Sequence, residues 1–434
     1  VNEAVSSLAQ QDRAAGFDRV TRRAIVAATV LGAAWRIAML INRWNLGLVF
    51  NDSVYYSYQA QHNAQGEWFR LVFTNGPGAE HPPVASLLMT PASLLPHLVS
   101  WQRATSTLLG IAVVPLIALL GLRLGGRRVA VIAAFVAAVY PNLWINDSLV
   151  MSESAAVFFV VIALLCAWQF QQRFDYRSAI ITGVVVALAA LTRSEMVALA
   201  PLLALIGFRS RPRLEWLKRA VVMLVVVGAV IAPWMIYNST RFDAPVLLSA
   251  NEGITILGAN CDATYGGPKM GGWLTSCLND VVIQPGEDAS ELSRREHKLA
   301  VQYMREHVRR LPLVVAARLL RTVDLYGLHD LVLIDMADQR GRVQSWGGIL
   351  SWWLLAPLAA VGWWRSRRRC GWILLAPAIS VFATAAIFYG AHRLRAPLEP
   401  VVVICAAMAM AGSALGQRLI GRVLAHPRFA ALAN

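Results

Sequence analysis

Residues 209–236 read RSRPRLEWLKRAVVMLVVVGAVIAPWMI: five basic residues lie within the first eleven positions, and the next seventeen carry no charge. Crossing the hydrocarbon core of a bilayer takes about 17–25 apolar residues, so 219–236 reads as a membrane span standing on a cationic foot. The pattern recurs outward in both directions. Spans are expected near 24–41, 103–122, 129–145, 153–169, 178–192, 194–208, 349–364, 372–389 and 399–416, with a hinge at Arg193 between two short ones. The whole chain of 434 residues is 57% hydrophobic and 15% charged, with mean hydropathy +0.51. Too little charge is present to cover a water-soluble surface of that size, so lipid is the natural solvent. The fold class expected is an all-α polytopic membrane protein. It would have about ten transmembrane helices, interfacial helices and a small irregular extracytoplasmic lobe.

Basic residues set the orientation. Arg123, Arg127 and Arg128; Arg173 and Arg177; the 209–219 cluster; Arg365, Arg367, Arg368 and Arg369; and Arg418, Arg422 and Arg428 fall at every second inter-span segment. By the positive-inside pattern these face the cytoplasm, which puts both termini inside and leaves 42–102 and 237–348 outside. The first span follows Arg22 and Arg23 without a small-x-small cleavage site, and reads as an anchor. Val1 fits a bacterial alternative start, and the expected location is a bacterial inner membrane. Three parts follow: 1–236 as a transmembrane catalytic module carrying the first outer loop (42–102), 237–348 as an extracytoplasmic lobe with an amphipathic helix, and 349–434 as carboxyl-terminal transmembrane helices and tail.

The net charge of +15 is scattered at loop edges, as topology requires, and points to anionic lipid head groups rather than nucleic acid. Among five cysteines, Cys166, Cys370 and Cys405 fall in spans. Cys261 and Cys277 share the outer, oxidising side, where either a disulfide or two free thiols could stand; a disulfide is the expectation.

The first outer segment starts Phe50-Asn51-Asp52-Ser53 and is expected to be helical and interfacial. Tyr55, Tyr56, Tyr58, Trp68 and Phe69 would sit at head-group depth. Gly76-Pro77-Gly78 breaks it, and Pro82-Pro83 opens a second helix, interrupted by Pro91 and Pro96 and lying at the surface. In the second outer segment, 251–289 is an irregular lobe. A helix then begins by Asp288, with Glu291 as capping partner and Leu292, Leu299, Met304, Val308 and Leu311 at roughly helical spacing; it is either an amphipathic interfacial helix or one packed on the lobe.

Ionisable groups near a membrane are expensive and ask for a reason. Asp52, Glu80 with His81, Asp147 with Glu153, Arg193 with Glu195, and His392, Arg393, Arg395 and Glu399 all map to the outer ends of spans or the first outer loop. Carboxylates can serve as a base or grip hydroxyls, and Arg and His can neutralise phosphate. A coupled transporter would instead place such charges at the midplane in broken helices. No phosphate loop, dinucleotide fingerprint, zinc cluster or hydrolase elbow is present. A transferred sugar would therefore come from a lipid-linked donor.

These residues resemble those of the dolichyl-phosphate-mannose protein mannosyltransferases and the related lipid A aminoarabinose transferases, within the C-type (polytopic membrane) glycosyltransferase superfamily. The matching motifs run in order: Asp52 with two tyrosines; His81-Pro82-Pro83; Arg103; Met151-Ser152-Glu153; Leu191-Thr192-Arg193-Ser194-Glu195; Ala232-Pro233-Trp234 with Asn238; and Arg393-Leu394-Arg395-Ala396-Pro397-Leu398-Glu399-Pro400. The resemblance implies an inverting glycosyltransferase that moves a hexose or pentose from a polyprenyl-phosphate donor to a lipid, glycan or protein acceptor. Asp52 would be the catalytic base. Tyr55, Glu80 and His81 would line its pocket, Arg103, Arg193, Arg393 and Arg395 would serve the donor, and Glu153 would orient the sugar or a basic partner. No cofactor is required by this reading. Many relatives have a second acid where this chain has Ser53, which leaves a divalent metal open. The eukaryotic enzymes also insert a β-rich domain for which 237–348 is too short. The alternative readings are a flippase of a lipid-linked sugar, which would need the phosphate site but no base, and an inactive relative that acts as a scaffold.

Overall fold

The computed structural model describes residues 18–49, 51–71 and 76–413. Val1, Phe50, Arg418, Arg422, Arg428 and the end of the last expected span lie outside them. Among the described residues helices are the only regular elements, and irregular chain joins them. Thirteen helices have ten residues or more: α1 Arg19–Asn42, α2 Asp52–Ala64, α3 Leu98–Gly125, α4 Arg127–Val139, α5 Glu153–Arg173, α6 Tyr176–Ala190, α7 Arg213–Ser239, α8 Ala289–Glu306, α9 Leu311–Thr322, α10 Leu328–Ala337, α11 Arg342–Ser366, α12 Gly371–Ile387 and α13 Glu399–Ala411.

Among the described residues six helical segments are long and apolar enough to span a membrane: α1, α3, α5, α7, α11, and α13 with its preceding turn, His392–Ala411. The other four expected spans, near 129–145, 178–192, 194–208 and 372–389, are shorter. They correspond to α4 with the turn Pro141–Trp144, α6, the Ser194–Ala204 segment and α12. The chain is a multi-pass membrane protein, and its count of full crossings rests on how these shorter pieces sit. The hinge at Arg193 is where the sequence placed it: α6 ends at Ala190, and a 3₁₀ turn, Ser194–Ala198, follows.

Local chemistry fixes the helix ends. Asp18 caps α1 by accepting from the Thr21 amide at 2.7 Å and pairs with Arg127 at 2.6 Å, tying the start of α1 to the start of α4. Asp175 caps α6 at 2.7 Å. Proline stands inside α3, α7, α11 and α12 (Pro115, Pro233, Pro357, Pro377), which membrane helices tolerate because neighbouring helices satisfy the freed carbonyls. The core is rich in alanine, and α13 lies at its centre, packed on α11 and α4. Gly362 of α11 makes that approach possible, since a Cβ there would lie 1.8 Å from the Cys405 carbonyl oxygen. By contrast α7 stands at the periphery, with Val221, Leu224, Val225 and Ile236 exposed.

The first outer segment departs from expectation. Tyr55, Tyr56 and Phe69 are buried, leaving only Tyr58 and Trp68 exposed. Tyr55 and Tyr56 pack around His81, and Phe69 against Trp234. The Gly76-Pro77-Gly78 break folds back on Arg70, and any side chain at Gly78 would meet Gln59 and the Arg70 carbonyl within 2.7 Å. After Pro82-Pro83 the apolar run forms two short pieces, Val84–Met89 and Pro91–Leu94, anchored where the Val84 amide donates to the Leu191 carbonyl at 2.9 Å.

In the second outer segment Asp288 accepts from the Ser290 and Glu291 amides and starts α8. Its buried positions are Ser290, Glu296 and Ala300, while Leu299 is exposed. The packed side of α8 is thus the one carrying these small and acidic residues, because helix Glu252–Leu257 approaches so closely that Gly253 meets the Ser293 backbone. Cys261 and Cys277 are joined by a disulfide, their Cα atoms 5.7 Å apart.

Candidate active site

Asp52 is the first residue of α2. Asn51 caps the helix by accepting from the Ser53 amide, so the carboxylate leaves the helix start toward the bundle. It meets Arg393, which arrives 341 residues later on the turn before α13, at 2.5 Å. His81 Nε2 lies 3.7 Å from the other carboxylate oxygen. The imidazole stacks on Tyr56 and edges Tyr55, whose hydroxyl donates to the His81 carbonyl at 3.4 Å. Burial alone would push the Asp52 carboxyl up, but Arg393 and His81 outweigh it and hold the carboxyl well below its usual range. The side chain keeps about a third of its surface exposed. Glu80 is the converse case: burial raises its pKa, and its Oε2 is enclosed without a hydrogen-bond partner.

Arg393 is the centre of a larger array. Besides Asp52 it faces Glu153 and Asp338, each at 3.3 Å. Glu153, at the first turn of α5, also receives Arg193 at 3.2 Å and Arg340 at 3.5 Å. Arg193 is held by Glu195 at 2.6 Å, and Arg340 reaches Asp335 at 2.9 Å and the Asn146 side chain at 2.9 Å. His392 bridges Asp324 and Asp335 at 2.9 and 2.8 Å. Seven carboxylates (Asp52, Glu153, Glu195, Asp324, Asp335, Asp338, Glu399) therefore engage four arginines and His392. Each of those arginines already has a carboxylate partner, so an incoming anion competes with one. A small polar cavity of about 20 Å³, lined by Asn142, Asn146, Asp335, Arg340, His392, Arg393 and Glu399 among others, lies against the array and is large enough for about one water.

Two expected donor ligands are taken up by groups of the protein. Arg103 is buried and spends its guanidinium on the backbone carbonyls of Arg43, Leu46 and Gly47, at 2.6–3.1 Å, just past the end of α1. Arg103 also donates to the Gln339 side chain at 3.3 Å and so braces the turn that follows α1. Arg395 lies over Trp352 and is saturated by Asp324, Glu399 and the Thr322 carbonyl. The two-residue step from Arg393 along the 3₁₀ turn His392–Leu398 sends the two side chains in different directions. Asp147 also leaves the group: it pairs with Arg36 at 2.6 Å inside the bundle, and Gly110 makes room for it.

Four members of the array, Asp324, Asp335, Asp338 and Arg340, were not singled out by the sequence reading. The signal was there, since Asp335, Asp338 and Arg340 interrupt an otherwise apolar run, LVLIDMADQR at 331–340. Because this run falls in a segment expected outside the membrane, its charges carried no obvious cost. The Asp243, Asp288 and Glu291 carboxylates also lie within 4.8 Å of one another. Asp288 is already committed there to capping α8.

This helical architecture, with its charged array at one end of the bundle, is similar in fold to solved membrane proteins. The oligosaccharyltransferase AglB from Archaeoglobus fulgidus, solved with an inhibitory peptide and a dolichol-phosphate, superposes with a TM-score of 0.56 at 16% identity, over 95% of this chain and 55% of AglB. ArnT from Cupriavidus metallidurans gives 0.54 at 15% identity in the apo state, over 90% of this chain and 61% of ArnT. Bound to undecaprenyl phosphate, it gives 0.52 at 16% identity, over 92% and 63%. This chain thus spans a little over half of AglB and about three fifths of ArnT. Residues 27–242, just under half of the chain, match the family described as dolichyl-phosphate-mannose-protein mannosyltransferase. No curated protein matches the sequence.

Proposed function

We propose that the chain is an inverting glycosyltransferase that takes a sugar from a polyprenyl-phosphate donor and passes it to a lipid, glycan or protein acceptor of the cell envelope. The observation that carries this reading is the Asp52–Arg393 pair, with His81 beside it. A carboxylate suited to accept a hydroxyl proton and a guanidinium suited to a phosphate share one half-open place at the bundle end. Asp52 is the base in this scheme, Arg393 takes the leaving phosphate, and Arg193 and Arg340 hold Glu153 in position. The transfer forms a bond from the acceptor oxygen to the anomeric carbon and breaks that carbon's bond to the phosphate oxygen; the acceptor proton goes to Asp52.

The resting pairing adds a consequence. Bound to Arg393, Asp52 is a weak base. A donor phosphate that draws Arg393 away would raise its basicity at the moment it is needed, and general-base help is worth about 10²–10⁴-fold. The array is read as extracytoplasmic and the termini as cytoplasmic, in a bacterial inner membrane. Residues 1–236 with the outer loop form the catalytic module, 237–348 the lobe and 349–434 the closing helices. The test is incubation of purified protein with a panel of polyprenyl-phosphate sugars. Consumption of one donor with a glycosylated product supports the reading. Donor movement across a vesicle membrane with no covalent product would replace it with a flippase.

A further inference from the structure

At the end of the bundle opposite the charged array lies a second cavity, of about 280 Å³, lined by Gln169, Arg173, Arg177, Ser178 and Ile181. The separation follows from α5: Glu153 opens the helix within the array and Arg173 closes it, and 21 residues at about 1.5 Å each span roughly 30 Å. That is about one hydrocarbon thickness, so the two sites occupy opposite membrane faces.

We infer that this cavity is a binding site for the phosphate of an anionic phospholipid head group. Arg173 and Arg177 are exposed and form no ion pair with any of the described residues. The carboxylate between them, Asp175, is committed to capping α6 by accepting from the Ser178 amide and hydroxyl. The site is built rather than loose. Phe174, in a left-handed turn, is clamped by Arg211 and Arg219 over its ring, and Arg219 also lies over Tyr176 and donates to the Phe174 carbonyl at 2.6 Å. The turn that presents Arg173 and Arg177 is thereby fixed. One wall is apolar: Ile181 lines the cavity, and Ile180 beside it on α6 is exposed as well. A cationic mouth over a hydrocarbon-facing wall fits an amphiphile better than a free ion. The volume is near the lower end of small-molecule sites, about 300 Å³, and basic pockets between membrane helices are suited to anionic head groups.

The experiment uses the full chain in phosphatidylcholine nanodiscs titrated with a fluorescent phosphatidylglycerol, comparing wild type, R173Q/R177Q and R209Q/R213Q. The last variant removes two exposed cations that do not line the cavity, so the change in net charge is the same. Each arginine is expected to contribute about fivefold, so R173Q/R177Q weakens binding about 25-fold while R209Q/R213Q changes it less than threefold. Equal losses in both variants, or none in R173Q/R177Q, would overturn the site in favour of diffuse surface attraction. Inorganic phosphate at 10 mM, about the concentration of a strong competitor for a free-anion site, is expected not to displace the lipid; displacement would assign the cavity to free phosphate and refute the lipid. Matching thermal unfolding midpoints across the variants establish that a loss is not misfolding.

Discussion

Asp52→Asn tests the proposed chemistry most directly, because the structure says what should not change as well as what should. The substitution is nearly isosteric and removes the charge that Arg393 meets at 2.5 Å. Arg393 is not left unpaired, since Glu153 and Asp338 remain at 3.3 Å. A cation retaining two carboxylates avoids the roughly 3–5 kcal/mol cost of breaking a buried pair, so the fold should hold. Donor binding should not weaken. A phosphate approaching Arg393 competes with Asp52 in the wild type, a contest worth up to about 4 kcal/mol for unit charges 4 Å apart near a protein surface. In the variant that competitor is gone, and polyprenyl phosphate should bind as tightly as before or up to about tenfold tighter. Transfer should fall about 10²–10⁴-fold, the usual worth of a general base. The assay pairs product formation under saturating donor with a binding titration of polyprenyl phosphate. Turnover within tenfold of wild type would refute Asp52 as the base. Loss of donor affinity in step with turnover would instead make it a donor ligand.

Arg393→Lys should keep the array folded but weaken polyprenyl-phosphate binding at least tenfold, because an ammonium cannot span Asp52, Glu153 and Asp338 as a guanidinium fork does; a binding titration reads it. Glu296→Gln concerns the lobe. Burial lifts the Glu296 carboxyl to about 7, above its unfolded value near 4.5, so the folded lobe holds a proton the unfolded chain releases. Its stability then falls as pH rises from about 4.5 to 7. The variant should leave protection of α8 against hydrogen exchange unchanged at pH 4.5 and increase it by up to about 3 kcal/mol at pH 8; equal effects at both pH values would refute the assignment. Gly362→Ala should lower the thermal midpoint sharply, since its Cβ would fall 1.8 Å from the Cys405 carbonyl and overpacking costs about 1–3 kcal/mol or more; an unchanged midpoint would mean that α11 and α13 do not cross there.

The sequence by itself determined that the chain lives in lipid, that its helices are interrupted at Arg193 and Pro91, that Asp288 opens a helix, and that Asp52, His81, Glu153 and Arg393 were worth watching. These are local properties: an apolar run, a cap or a proline acts within a few residues, and an ionisable group beside a span is conspicuous wherever the chain goes. Only the tertiary structure decided which charges meet. Arg393 and Arg395 are two residues apart and indistinguishable by composition, yet one faces Asp52 and the other is locked between Asp324 and Glu399. Arg103 looked like a phosphate ligand and is a brace for the turn that follows α1, because its direction depends on where the chain runs past Arg43. Asp335, Asp338 and Arg340 pair with one another locally, but their place in the array depends on Glu153, His392 and Arg393, which lie far away in sequence. The physical reason is common to all of them: a charge's energy depends on its neighbours within a few ångströms, and in a helical bundle those neighbours are set by which helices pack together.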